Sequence, residues 1–439
     1  MKLKKALAMA LTVAMTMTGL VACGSSESTD TTGTGSSTTT EKTETAKTDS
    51  STATETPAEV EAISLKVWAP EEDMEITQAM MDSFQQEHPE WDITWDLTVI
   101  GVDESAAALT TDPDAAADVF LLPSGSIPEL VEAGLLYPIT ANMDDITALY
   151  SENALEACKK DGLLYGLPST PNCWFMWYNK SLYDESDLAS LETMMAKDLG
   201  DGVYNFSCTI HNSWYIEAFY YAAGCTLFGP DGEDPTECSW NDANGMAATK
   251  YLLDLTSNPK YVEDEDGIAG SLFKEGKLGA LCAGTWVRND LYDAIGDDLG
   301  AVPLPTININ GKDSHLSNFA DYKVYAIKSN TKAPLAAQLF AEWLNNQENQ
   351  ITRFLEVGTT PTVLAVLDVN EAVANDAGTA ALLAQTQYAT AQPAISQIGA
   401  YWTPAETLGT AIVNKELNEG NAQEYLDKTV SDITTNLVE

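Results

Sequence analysis

Ile63-Ser-Leu65-Lys-Val67-Trp68-Ala-Pro70 and Trp91-Asp-Ile93-Thr-Trp95-Asp-Leu97 both alternate apolar with polar residues, the period of a strand that buries one face. Between them, from Asp73, Ile76, Met80 and Phe84 recur at every fourth position and the run continues through Gln85 and His88 until Pro89 stops it. That spacing predicts a helix. Strand, helix and strand of these lengths make one parallel βαβ unit. Ala117–Leu122 then reads as a buried strand closed by Pro123-Ser-Gly125, and Ile127–Ala133 as a helix closed by Gly134. The alternation predicts an α/β first lobe. Further on, Asp161-Gly-Leu-Leu-Tyr165-Gly-Leu-Pro168 reads as a tight hairpin and Cys173-Trp-Phe-Met-Trp177-Tyr178 as a buried strand leading into Asn179-Lys180.

At 439 residues the chain exceeds what one hydrophobic core usually organises, so two lobes are expected. Hydrophobic residues make up 44%, with 10 Trp, 17 Tyr and 10 Phe, which excludes wholesale disorder. The formal net charge of −44 repels phosphate backbones and anionic lipid headgroups, which excludes nucleic acid as a partner.

Lys2, Lys4 and Lys5 precede the uncharged stretch Ala6–Ala22, the pattern of a secretory signal peptide. The alternative, a membrane span, is disfavoured by a length at the bottom of the spanning range and by Thr12, Thr16, Thr18 and Gly19. Leu20-Val21-Ala22-Cys23 resembles the bacterial lipoprotein box, which implies cleavage after residue 22 and a diacylglyceryl anchor on Cys23. Two acyl chains matter because one holds a protein to a bilayer only marginally. Residues 24–59 contain 20 Ser or Thr and no Val, Ile, Leu or aromatic residue, so the segment following the lipidated Cys23 is expected to be a disordered tether. As a flexible coil it would reach about 35 Å. Removal of three lysines with the leader takes the charge of the exported chain from −44 to −47. The predicted location is the extracytoplasmic face of the cell membrane.

Cys158, Cys173, Cys208, Cys225, Cys238 and Cys282 remain after lipidation. Export permits disulfides among them, without requiring any, and no Cys-x-x-Cys spacing marks a metal or redox site. Cys158–Cys173 is the first pair to test.

From the hairpin onward the sequence resembles a known family. The run from Gly162 to Pro168, with Trp174-Phe-Met-Trp177-Tyr-Asn179-Lys-Ser-Leu-Tyr183, looks like the segment where family 1 extracellular solute-binding proteins of ABC importers, the maltose-binding-like group, first cross between lobes. Phe273-Lys-Glu-Gly276-Lys-Leu-Gly279-Ala280 with Gly284-Thr-Trp286, then Gly300-Ala-Val302-Pro-Leu304-Pro305, then Ala333–Leu344, match later segments in the same order. Ile398-Gly-Ala-Tyr401-Trp402, followed by helices predicted over Ala405–Leu417 and Ala422–Leu437, resembles the C-terminal signature. The resemblance implies a two-lobed α/β fold of the type II periplasmic-binding kind, with an interlobe cleft and several hinge crossings. It divides the chain into an N-terminal lobe of 60–171 and 318–366 and a C-terminal lobe of 172–317 and 367–439. It also implies a monomeric binder that delivers an oligosaccharide, maltose or a maltooligosaccharide first, to the transmembrane subunits of an ABC permease.

The resemblance points to particular residues as ligand contacts. Trp286 and Trp402 match positions that stack sugar rings, and Trp214 with Tyr215 falls in a second aromatic platform. Glu71, Glu72 and Asp73 match an acidic position that accepts hydroxyl protons, Asn172 a polar hinge residue, and Tyr401 flanks Trp402. Arg288 is a further candidate donor. These residue types suit a sugar, whose C–H faces lie on flat rings and whose hydroxyl edge meets carboxylates, amides and guanidinium groups. Trp91 and Trp95 read as packing, and Trp68 stays open. Where some maltose binders carry an aromatic and an acid, this chain has Pro123-Ser124-Gly125-Ser126, which leaves other oligosaccharides open.

Two rival functions draw on the same residue types. A glycoside hydrolase would need a placed acid pair, and none is marked by sequence. A metal binder would draw on Tyr220-Tyr221 or on the acidic runs Asp231–Asp234 and Glu263–Asp266. Adjacent helical tyrosines point apart, and the runs lack a calcium loop's alternating oxygens, so they read as solvated turns. No catalytic residue, metal or cofactor is expected.

Overall fold

The computed structural model describes residues 60–435, with the side chains of 367–369 left aside. The described residues fall in one unit that begins at Ala58. Cys23, the leader and the tether lie outside the described residues.

The βαβ unit forms as the periodicity requires. Strands β1 (Glu61–Ala69) and β2 (Trp91–Val99) pair in parallel over nine residues, from Glu61 opposite Trp91 to Ala69 opposite Val99. Helix α1 (Met74–Glu87) between them buries Ile76, Met80, Met81 and Phe84. Trp91 and Trp95 pack around Phe84, with ring centroids 6.3 and 6.2 Å away. Trp68 leans on Phe120 at 5.6 Å. Helix α2 (Val102–Thr111) then leads to β3 (Val119–Pro123). The short hairpin lies at Lys159–Leu164, where Asp161 and Gly162 both adopt positive φ, the tight-turn geometry. Gly166–Pro168, read with that hairpin, instead opens strand β4 (Gly166–Asn172).

The second sheet gathers β5 (Phe175–Asn179), β6 (Tyr204–Ser207), β7 (Leu278–Ala283) and β8 (Leu299–Val302) in the order β8-β5-β7-β6. Every residue of β5 is buried, because helices cover both faces: Phe175 and Trp177 enter one core, Met176 and Tyr178 another. Helices α3 (Ser213–Ala223), α4 (Arg288–Ile295), α5 (Pro334–Leu344), α6 (Gln347–Val357), α7 (Ala377–Gln385), α8 (Trp402–Val413) and α9 (Ala422–Thr435) complete the elements used below.

Strand β9 (Phe319–Ile327), which the alternation count did not pick out, organises the site. It lies in the first sheet, antiparallel to both β3 and β4, and at its start pairs with β10 (Thr390–Ala391). Phe319 belongs to the core of the second sheet, whereas Val324–Ile327 belong to that of the first. The chain therefore passes from one core to the other within a single strand. The first core extends to Val373, beyond the boundary at 366.

All six described cysteines are free thiols, so Cys158–Cys173 is not bonded here. Cys158 Sγ donates to the Ala154 carbonyl at 3.1 Å, and burial pushes this thiol far up.

Candidate functional site

A recess between the two sheets is lined by Glu72 and Asp73 at the C-terminal end of β1, by Ser169–Pro171 of β4, by Lys323 of β9, by Arg353 of α6 and by Thr285 and Trp286. Ligands in α/β folds settle at this end of parallel strands. Among the described residues Trp286 is the only large aromatic lining it, and it is 38% exposed. It keeps this position because Gly284 has no side chain: a Cβ there would lie 1.9 Å from the indole Cζ3. The Gly284 carbonyl is fixed by the Trp177 indole N–H, which donates at 3.0 Å. The Lys323 ammonium lies over the ring, 5.0 Å from its centroid. The recess holds about 500 Å³ of space, continuous with solvent.

The acids of the first lobe separate. Glu71 is exposed and does not line the recess, whereas Glu72 does. Asp73 is buried with Oδ2 3.5 Å from Arg353 Nε. Burial raises its pKa more than Arg353 lowers it. Arg353 donates to the Leu344 carbonyl at 3.0 Å and to the Tyr325 hydroxyl at 2.9 Å, while its buried Nε makes no hydrogen bond.

A second group forms around Phe319. Trp402, at the start of α8, lies 6.2 Å from both Trp214 and Phe319, and Trp214 lies 5.9 Å from Phe319. Trp402 and Trp214 are half-buried, so each shares its surface between packing and solvent. Tyr215 packs on Trp174 at 4.7 Å. Burial holds its phenol well above the usual range, with Cys208, Cys282, Asp264 and Asp103 adding to the effect. Phe319, Asp321 and Lys323 alternate onto one face of β9, and four residues span about 13 Å. The Trp214–Trp402 pair and Trp286 are thus met by side chains of the same strand face.

Three candidates are committed to partners within the protein. Asn172 Nδ2 donates to Asp321 Oδ1 at 2.6 Å, where β4 and β9 run side by side into the crossing. Burial raises the Asp321 carboxyl to about 7, opposed by the Asn172 and Gly125 hydrogen bonds. Arg288, which does not line the recess, donates from Nε to Asp376 Oδ2 at 2.7 Å and lies 5.3 Å over the Phe354 ring, joining α4 to α7 and α6. Tyr401 is fully buried, its hydroxyl donating to the Ser213 carbonyl at 2.8 Å and its ring edge-on to Trp240. It is a core residue holding α8 against α3.

Missing from the sequence reading were Asp321 and Lys323. The signal was two charges at i and i+2 in an otherwise apolar strand, which puts both on one face. Glu263 was also misread as a solvated turn residue. It is 10% exposed at the side chain and accepts from His211 and Tyr261, with burial as the main influence on its raised pKa. Tyr220 stacks on Trp240 at 4.0 Å while Tyr221 meets Phe319 edge-on at 5.6 Å, so the adjacent tyrosines do diverge. Among the described residues no group of three His, Cys, Asp or Glu side chains is placed to hold a metal.

Comparison with known proteins agrees with this geometry. A galactooligosaccharide-binding protein of Bacillus subtilis strain 168 is 28% identical over 302 residues, 66% of this chain and 70% of its own. A maltooligosaccharide ABC transporter solute-binding lipoprotein of Streptococcus pneumoniae R6 is also 28% identical, over 309 residues, with the same shares. A structure solved with acarbose superposes with a TM-score of 0.79 at 29% identity, covering 85% of this chain and 99% of its own. The profile of the family described as bacterial extracellular solute-binding protein matches residues 79–381. The chain belongs to that family, whose members bind solutes and are not enzymes.

Proposed function

We propose that this protein captures an oligosaccharide for an ABC importer, with Trp286 as the principal stacking platform. The supporting observation is the exposed indole set over Gly284 in a recess between two sheets, beside hydroxyl-binding groups. In this reading the halves built on the two sheets are lobes, 60–171 with 318–366 and 172–317 with 367–439. Ligand bound between them favours the closed form by its differential affinity for that form. Trp402 and Trp214 line the second end of the site, and Glu72 accepts hydroxyl protons. The other assigned contacts, Glu71, Asp73, Tyr215, Asn172, Arg288 and Tyr401, support these walls from behind or lie beside them.

A maltooligosaccharide is the first choice of sugar, on the Tyr401-Trp402 segment and the pneumococcal relative. A galactooligosaccharide is the alternative, since the Bacillus relative is equally similar. Lipidation at Cys23 and the tether that follows would keep the binder beside the permease. Thermal melting of the chain from Ala58 against maltooligosaccharides, galactooligosaccharides, polyols, amino acids and peptides tests the reading. A ligand of the folded form raises the melting temperature, by about 2.7 kcal/mol of added stability at a hundredfold excess over Kd. A shift with peptides or amino acids and none with any sugar contradicts it.

A further inference from the structure

Lys323 is half-buried and lines the recess, yet its ammonium has no hydrogen-bond or ion-pair partner among the described residues. Lys312 and Lys332 share that lack but are exposed, where water serves them. An ammonium carries three donors, and partial desolvation against only a ring face leaves them unsatisfied. Lys323 therefore stands out as a group built to meet an acceptor from outside the chain. Its position also obstructs: the ammonium lies over a face of the Trp286 indole, 5.0 Å from the ring centroid, inside the recess that both residues line. A sugar ring reaches that indole face only after Lys323 swings away, and its four-carbon arm then leaves the ammonium at the ring's edge. The surroundings select against an anion. Glu72 lines the same recess, and Asp73 and Asp321 both lie close enough to feel the lysine's charge.

Resting on the oligosaccharide reading, we propose that Lys323 covers Trp286 in the empty protein and, displaced by a neutral sugar ring, donates to that ring's oxygens and so helps set which sugar is accepted. The test is calorimetric titration of the chain from Ala58 with maltotriose and with a galactooligosaccharide, for wild type, Lys323→Met and Lys323→Ala. Methionine keeps the stem and removes the donors. Whichever sugar wild type binds should bind Lys323→Met about 10–100-fold more weakly, the scale of a lost charged hydrogen bond, with the ligand-free melting temperature little changed. Monodeoxy analogues of that sugar give a second readout: the one that costs wild type most should cost Lys323→Met nothing further. Equal or tighter binding by both variants, with wild type binding normally, overturns this inference alone, since Lys323 is then only a plug. Failure of wild type to bind either sugar overturns the oligosaccharide reading and this inference with it.

Discussion

Trp286 and Tyr401 were read from sequence with the same kind of argument, and the structure gives them opposite surroundings. Trp286 packs its indole on a glycine, meets no other ring among the described residues and keeps 38% of its surface exposed. Tyr401 is fully buried among Trp240, Phe319 and Trp402, and its hydroxyl is satisfied by a backbone carbonyl. The contrast shows what separates a binding aromatic from a core aromatic. The first leaves apolar surface to solvent and is overlain by a single lysine arm, whereas the second has no face left to offer. Trp402 and Trp214 stand between the two, each with one side in the cluster around Phe319.

The largest expected effect probes the buried end of this contrast. Tyr401→Ala should cost about 3–5 kcal/mol of folding stability, the range for deleting a buried ring, read as a lower denaturant midpoint. A loss below about 1 kcal/mol would mean that the ring is not part of the core and would erase the distinction. Next in size is the crossing that joins the two regions. Burial lifts the Asp321 carboxyl to about 7, so the folded chain retains a proton that the unfolded chain releases near pH 4. The sign follows: this contribution is fully present below about pH 4 and is lost as pH rises through 7, amounting to up to about 4 kcal/mol. Asp321→Asn should therefore flatten the fall in stability between pH 5 and 8 relative to wild type. An unchanged slope would place the titration elsewhere.

The elements that the sequence made legible are those whose burial is periodic. Strands β1 and β2 and helix α1 announce themselves because one face of each is apolar at period 2 or 3.6. Strand β9 hid because its burial changes along its length: Phe319 enters one core, Val324 another, and Asp321 and Lys323 occupy the same face between them. At the site, Trp286 was legible through the glycine two residues before it. The roles of Arg288 and Asn172 were not, because Asp376 and Asp321, the carboxylates that engage them, lie 88 and 149 residues away in the chain. Local sequence gives the donor but not the distant acceptor that consumes it.

The most direct test is titration of the chain from Ala58 with maltooligosaccharides and galactooligosaccharides, followed by tryptophan fluorescence, for wild type beside Trp286→Ala. The account predicts a saturable spectral change in wild type with at least one sugar. It also predicts affinity reduced by about 1–3 kcal/mol in Trp286→Ala, with folding stability within about 0.5 kcal/mol of wild type. Equal affinity in the two proteins, or a variant that loses binding only because it unfolds, would contradict the claim that this indole is the surface on which the ligand lies.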